Sequence, residues 1–241
     1  VKVPNPEFKE TLSMGIELAN KINADVVFGT DPDSDRLGVA LKDEKGEFVA
    51  LSGNQVGILL LDYILTKLAA ENKMPENAAV VKSFVTTGMV KALCDEYGVT
   101  LVEVPVGFKF FGEKIKQWEQ DGKHSYIFGF EESCGYLRGT HARDKDAVVA
   151  SMLCAEMVCY YTYIGKTVFA RLQEIYPNIM KLDYDNVATR AIQEENELSD
   201  TEGKSFDELI SDFYEWMNGR KPSDEEWEIL LEVAKEAGVT V

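Results

Sequence analysis

The sequence predicts an α/β protein: a mixed sheet covered by helices, followed by an acidic helical C-terminal tail. Three observations carry this reading. Short β-rich apolar runs alternate with longer helical runs through the first 177 residues. The loops richest in Asp, Glu, Gly and Lys all follow strand-like runs, as in open sheets whose ligands sit beyond the strand ends. A chain of 241 residues with 45% hydrophobic content has the material for a substantial core.

In chain order, "EFKETLSMGIELANKIN" enters from Pro6 as a helix with Leu12, Ile16 and Ala19 on its apolar face. "ADVVFGT" reads as a strand, and "RLGVALKDEKGEFVA" as two strands joined by a turn at Asp43 to Gly46. "NQVGILLLDYILTKLAAEN" reads as a long helix with Asn54 as its cap. A second unit repeats the alternation: strand "AAVVKSF", helix "TGMVKALCDEYG", strand "VTLVEVP", helix "FKFFGEKIKQWEQDG", strand "KHSYIFGF". Two apolar helices, "KDAVVASMLCAEMVCYYTYIG" and "TVFARLQEIYP", close it, with Cys154 and Cys159 as core residues. From residue 178 the chain turns into acidic amphipathic helices, with Phe213, Trp216, Trp227 and Leu231 as candidate anchors.

The net charge is -17, of which residues 178–241 carry -11. A nucleic-acid partner is excluded on this balance, because such binders present a positive surface. Cys94, Cys134, Cys154 and Cys159 form no CxxC pair or zinc spacing and read as reduced thiols. No apolar run spans a bilayer and none has the pattern of a secretory signal, so the expectation is a cytoplasmic protein without a membrane partner. The first residues, "VKVPNPEF", lack a methionine, so the chain is expected to be a segment of a longer one.

Four loops carry the chemistry. In "TDPDSDR", Asp31, Asp33 and Asp35 repel one another unless a cation sits among them, and alternate residues of an extended segment point the same way. An EF-hand would need Gly and Glu where Arg36 and Lys42 stand. A hard metal held by one short loop keeps coordination positions open, and Arg36 adds a bidentate donor for phosphate or carboxylate. A solvated turn is the plainer alternative. In "VGFKFFGEK", Gly107 permits a tight turn and Lys109 stands at a strand-to-helix junction, where anions are favoured. Phe108, Phe110 and Phe111 read as packing residues. In "GFEESCGY", Glu131, Glu132 and Ser133 offer acceptors and a hydroxyl to vicinal sugar hydroxyls. Cys134 has no histidine near it in sequence and is a poor nucleophile candidate. In "THARDKDAV", His141 and Arg143 can each bind phosphate, and Lys145 is an acid or base if its pKa is lowered. His124 reads as structural.

Taken in order, "TDPDSDR", "VGFKFFGEK", "GFEESCGY" and "RDKDAV" resemble the α-D-phosphohexomutase superfamily, most closely its phosphoglucomutase and phosphomannomutase branch. The resemblance covers residues 1 to about 177. It implies that Asp31, Asp33 and Asp35 bind Mg2+, that Glu131 and Ser133 recognise the sugar, and that Gly107, Phe108 and Lys109 read substrate orientation. It further implies Arg36 and Lys145 as catalytic groups, with Lys145 transferring a proton, and Lys82 in "VVKSFVTTG" as another basic site residue. Residues 1–50 would be the end of the family's second domain, 51–177 its third, and 178–241 a region without counterpart. Such enzymes interconvert hexose 1-phosphates and hexose 6-phosphates through a phosphoserine and a bisphosphate intermediate. "EES" addresses hydroxyls common to glucose and mannose. No Thr-Ala-Ser-His-Asn-Pro loop and no Arg-x-Ser-Gly-Thr loop occurs in these residues. The expectation is therefore an incomplete enzyme, inactive alone, whose other domains lie in a parent chain. The alternative is a non-catalytic sugar-phosphate or metal-binding module.

Overall fold

A computed structural model describes residues 4–43 and 45–175, together with Lys221 and Trp227. Nearly all of the tail expected to form acidic helices, with its anchors Phe213, Trp216 and Leu231, lies outside the described residues. The chain divides into two compact units, one of residues Val1–Thr86 and Val90–Glu174, the other of Thr87–Met89 and Ile175–Val241. The first unit holds both sheets and every candidate site residue.

A 3-10 turn, Lys9–Leu12, leads into α1, Ser13–Ile22. The helix expected from Pro6 thus begins later, after a turn in which Asn5 accepts the amide of Phe8. Three antiparallel strands follow: β1 (Val26–Thr30), β2 (Leu37–Lys42) and β3 (Phe48–Ala50), in the order β1-β2-β3. Leu12, Ala19, Val27 and Ala40 form the small core between α1 and this sheet.

Helix α2, Gly53–Ala70, is buried over most of its length. Its cap is Ser52, not Asn54. The Ser52 hydroxyl accepts the Gln55 amide, and the Gln55 side chain accepts the Ser52 amide in return. This reciprocal S-x-x-Q pair satisfies two amides that the helix cannot.

A second sheet contains β4 (Ala78–Ser83), β5 (Thr100–Val104), β6 (Ser125–Glu131) and β7 (Gly135–Leu137), in the order β5-β4-β6-β7. β4 pairs parallel with both neighbours, while β7 folds back antiparallel on β6. Helices α3 (Met89–Tyr97) and α4 (Lys109–Asp121) make the crossovers. Because β5 and β6 lie on opposite sides of β4, the chain reverses direction at that strand. Such a reversal opens a crevice at the carboxyl ends of the strands. The three-residue β7 escapes a sequence reading because it is too short to display alternation. It turns "EESC" into the tip of a hairpin.

The two sheets meet directly. The Leu37 amide donates to the Cys134 carbonyl at 3.0 Å, and Arg36 forms a backbone bridge with Gly135. The start of β2 is thereby tied to β7.

Helices α5 (Ala147–Tyr163) and α6 (Val168–Ile175) follow. Cys154 is buried, but Cys159 is exposed, which corrects its reading as a core residue. Among the described residues, no single helix is long and apolar enough to cross a membrane. Asp62 of α2 is 1% exposed and is held by three donors. Arg171 approaches it through Nε at 2.9 Å and a terminal nitrogen at 2.6 Å, and the Tyr161 hydroxyl donates at 3.1 Å. Removing one member of a buried pair leaves its partner's charge without compensation. Arg171→Ala is therefore expected to destabilise the protein by about 3 kcal/mol, read from urea denaturation. Asp62→Leu combined with Arg171→Leu should cost less than the two single changes added together.

Candidate active site

The aspartate loop joins β1 to β2, and its organiser is Asp31, which is 3% exposed. One carboxylate oxygen accepts the amides of Asp35 and Arg36 at 3.2 and 3.1 Å, and the other accepts Arg36 Nε at 2.7 Å. Arg36 reaches on to Glu7 at 2.8 Å. Ser34 takes a left-handed φ of 58° between Asp33 and Asp35. Burial alone would raise the Asp31 pKa, but Arg36 outweighs it and the net shift is downward. The Asp35 pKa moves up, first through burial and then through the nearby Asp31, with Lys145 opposing.

The three carboxylates converge. Asp31, Asp33 and Asp35 each offer an oxygen within 4.8 Å of the others. Asp35 Oδ1 is buried without a hydrogen-bond partner; its one cationic neighbour among the described residues, Arg36 Nε, stands 3.6 Å away, beyond hydrogen-bond reach. A buried carboxylate oxygen with no donor is costly unless a cation receives it. Three carboxylate oxygens gathered this closely form a donor set of the kind that hard, oxygen-preferring cations take.

A cavity of about 710 Å3 lies beside this loop, with Asp33, Asp35, Lys109, Arg143 and Lys145 on its wall. Three separate segments supply those residues: the aspartate loop, the start of α4, and the loop before α5. The Ala147 amide donates to the Ser34 carbonyl at 3.1 Å, fixing the aspartate loop to the start of α5. Lys145 lies against Gly135 and extends to Asp35, with Nζ at 2.6 Å from Oδ2. Burial would lower its pKa, but Asp35 and Asp144 outweigh burial and the net shift is upward. The structure thus presents Lys145 as an ammonium held by carboxylates, without the lowered pKa that is the condition for an acid or base role. Lys109 folds its ammonium over the Phe110 ring, while Phe108 and Phe111 stack at 4.2 Å within the core.

Glu131 ends β6 and is 4% exposed. It accepts the Gly107 amide at 2.7 Å and so ties the "EES" hairpin to the "GFK" turn. Gly107 has φ of 118°, a conformation open to glycine. Burial raises the Glu131 pKa against the opposing Gly107 bond. Glu132 turns the other way, toward Ser83 and Thr86. Ser133 is partly exposed at the hairpin tip.

Two basic residues proposed for substrate are engaged elsewhere. Lys82 is buried in β4 and ion-paired to Glu103 at 2.7 Å. Arg143 donates to the Thr140 carbonyl at 2.5 Å and pairs with Glu119, while keeping a place on the cavity wall. His141 pairs with Asp146 at 2.9 Å. Burial pushes the Cys134 thiol up to about 12, which removes the thiolate a nucleophile needs. Two contributors carry no signal of their own in the sequence. Lys116, two turns along α4 from Lys109, also lines the cavity. Gly53, at the start of α2, would place a Cβ 1.9 Å from the Glu132 carbonyl oxygen.

A model of the phosphoglucomutase/phosphomannomutase α/β/α domain III matches residues 52–179, and one of domain II matches residues 1–46. The chain belongs to the phosphoglucomutase/phosphomannomutase family. A Staphylococcus aureus (strain USA300) phosphoglucomutase is 36% identical over 179 residues, covering 74% of this chain and 31% of that relative. Among solved structures, a Thermus thermophilus protein provisionally described as a phosphomannomutase matches 71% of this chain and 35% of its own, with 26% identity and a TM-score of 0.55. A phosphoglucomutase/phosphomannomutase family protein from Burkholderia thailandensis shares the fold at 18% identity and a TM-score of 0.54, covering 71% of this chain and 33% of its own. The chain therefore spans about a third of the length of these phosphohexomutases.

Two substitutions test this architecture. Asp146 caps α5 by accepting the Val148 and Val149 amides at 2.8 and 3.1 Å. Burial raises its pKa, but His141 and the two amides outweigh it, and the carboxyl lies below its ordinary 3.8. A depressed carboxyl stabilises the fold above the unfolded-state pKa and loses that contribution as pH falls through the folded value. Asp146→Ala should cost about 1 kcal/mol at pH 7 and progressively less below pH 3.8, checked by urea melts across pH. Gly53→Ala must move the Glu132 backbone. It is expected to cost about 2–3 kcal/mol and to shift the amide resonances of the 131–135 hairpin.

Proposed function

We propose that this chain is the metal- and sugar-handling part of an enzyme that interconverts hexose 1-phosphates and hexose 6-phosphates. The observation that carries the reading is that Asp33 and Asp35, two members of a converging carboxylate triad, share the wall of one cavity with Lys109, Arg143 and Lys145, in a chain of this family. The residues that would hold Mg2+ are Asp31, Asp33 and Asp35, and the ion would neutralise charge on a transferring phosphoryl group.

Arg36 orders the loop by holding Asp31, so its contribution is to position the carboxylates. Lys145 supplies a cation at the cavity wall, suited to a phosphoryl oxygen or to a proton delivered to the sugar oxygen. Lys109 and Arg143 add positive charge for an anionic substrate, and His141 is a further side chain for its phosphate. Gly107 and Phe108 shape the turn that Glu131 holds, and Glu131 and Ser133 meet the sugar hydroxyls. Lys82 acts from behind the site, because its ammonium is already shared among protein acceptors.

The phosphoryl carrier is a phosphoserine in another domain of the parent chain, and a bisphosphate intermediate links the two half-reactions. With no carrier loop in these 241 residues, the chain alone binds but does not isomerise. A thiol-reduced cytoplasmic setting accords with four free cysteines.

Calorimetry with Mg2+ and Mn2+ should detect weak binding that Asp33→Asn and Asp35→Asn each reduce by about tenfold or more. A coupled assay with glucose 1-phosphate and mannose 1-phosphate should give no turnover with the purified chain. Turnover that survives repurification, and vanishes in Asp33→Ala or Lys145→Ala, would refute the incomplete-enzyme reading. Metal binding without any hexose phosphate binding would favour a non-catalytic metal module.

A further inference from the structure

We propose that the turn after β4 clamps the second glutamate of the "EES" hairpin, making Glu132, Ser83, Thr86 and Lys82 positioning residues for Glu131 and Ser133. The inference rests on the reading above that Glu131 and Ser133 meet the sugar.

The clamp sits where the parallel strands β4, β5 and β6 end side by side. Ser83 closes β4 and Thr86 lies in the following turn; both are 0% exposed. Glu132 Oε2 is 3.0 Å from the Thr86 hydroxyl and 3.2 Å from that of Ser83, while the two hydroxyls are 2.7 Å apart. Each hydroxyl carries one proton, so only two of these three contacts can be hydrogen bonds at once. The shortest arrangement has Ser83 donating to Thr86 and Thr86 donating to Glu132. Donation to a carboxylate is about twice as strong as a neutral bond. The chain of hydroxyls therefore draws the Glu132 carboxylate toward β4.

Lys82 holds the turn that carries those hydroxyls. Its ammonium donates to the Thr86 carbonyl at 2.9 Å, to the Ser83 carbonyl at 3.3 Å and to Glu103 at 2.7 Å. Three donors meet three acceptors, so this arrangement has no N–H left for a substrate phosphate. Successive residues at a strand end point to opposite sides. With Glu132 held at the β4 turn, its neighbour Glu131 accepts the Gly107 amide. The clamp thus fixes the hairpin through Glu132 and the "GFK" turn through Glu131.

The test uses the full 241-residue chain. Thr86→Val, Ser83→Ala, Glu132→Ala and Glu132→Gln are compared by NMR titration with glucose 1-phosphate, its deoxy analogues and inorganic phosphate, and by amide exchange at Gly107. Thr86→Val and Glu132→Ala should each weaken glucose 1-phosphate by about tenfold, and the double variant should be no weaker than either alone. Inorganic phosphate should bind as before, Gly107 exchange should quicken in both, and Glu132→Gln should recover most of the loss. Ser83→Ala is the milder change and serves if Thr86→Val fails to fold. The proposal is overturned if these variants leave glucose 1-phosphate affinity and Gly107 exchange at the wild-type level. It is equally overturned if Glu132→Ala abolishes the penalty for deleting one particular sugar hydroxyl, since Glu132 would then touch the sugar itself. If the wild-type chain ignores glucose 1-phosphate while Gly107 exchange still responds to the clamp variants, the clamp stands and the sugar reading falls.

Discussion

Asp31 can occupy the interior because Arg36 and two loop amides receive both of its oxygens. The rest of the site depends on that arrangement. With Asp31 fixed, the chain must leave β1, turn at Ser34 and enter β2 within a few residues, which brings Asp33 and Asp35 to the same side. The same turn sends Leu37 to pair with Cys134 and Ser34 to receive the Ala147 amide. One buried carboxylate thus positions the aspartate loop, the 131–135 hairpin and the start of α5. An uncompensated charge at that depth would cost several kcal/mol, so Arg36 is as necessary to the geometry as the aspartates themselves.

Cations and carboxylates interleave through the site. Glu7, Arg36, Asp31, Asp35, Lys145 and Asp144 form a run in which each cation lies between carboxylates. Lys145 and a metal ion would therefore address the same carboxylate, Asp35. Lys145 takes Oδ2 of that carboxylate, and Oδ1 is the oxygen without a hydrogen-bond donor that an ion would use.

Most of the elements are legible in the sequence because each has a periodicity or a boundary residue of its own. β1, β4 and β6 are unbroken apolar runs, α4 has a clear amphipathic face, and the Asp43 to Gly46 turn has ordinary turn chemistry. The aspartate loop is legible for an electrostatic reason, since three carboxylates in five residues demand a cation. What escapes depends on tertiary contact or on a choice between neighbours. β7 is too short to alternate. The S-x-x-Q box at Ser52 is present in the sequence, but Asn54 is a capping residue by type and competes with it. Cys159 lies in an apolar helix yet faces outward, because a helix without a marked polar face does not reveal which side is buried.

The basic residues teach the sharper lesson. Lys82, Lys109, Arg143 and Lys145 are equivalent on sequence grounds, each standing near a strand end or helix start. Their environments separate them. Lys145 is held by carboxylates at the cavity, Arg143 is tied to backbone carbonyls and Glu119, and Lys82 is buried and fully used. A lysine has three donors, and counting the acceptors around it distinguishes a group that holds the protein from one that can hold a ligand. The two glutamates of "EES" divide in the same way. Glu132 is held by the Ser83 and Thr86 hydroxyls, and the buried Glu131 receives the Gly107 amide. The hairpin is therefore fixed at two points, by Glu132 to the turn after β4 and by Glu131 to the turn before α4.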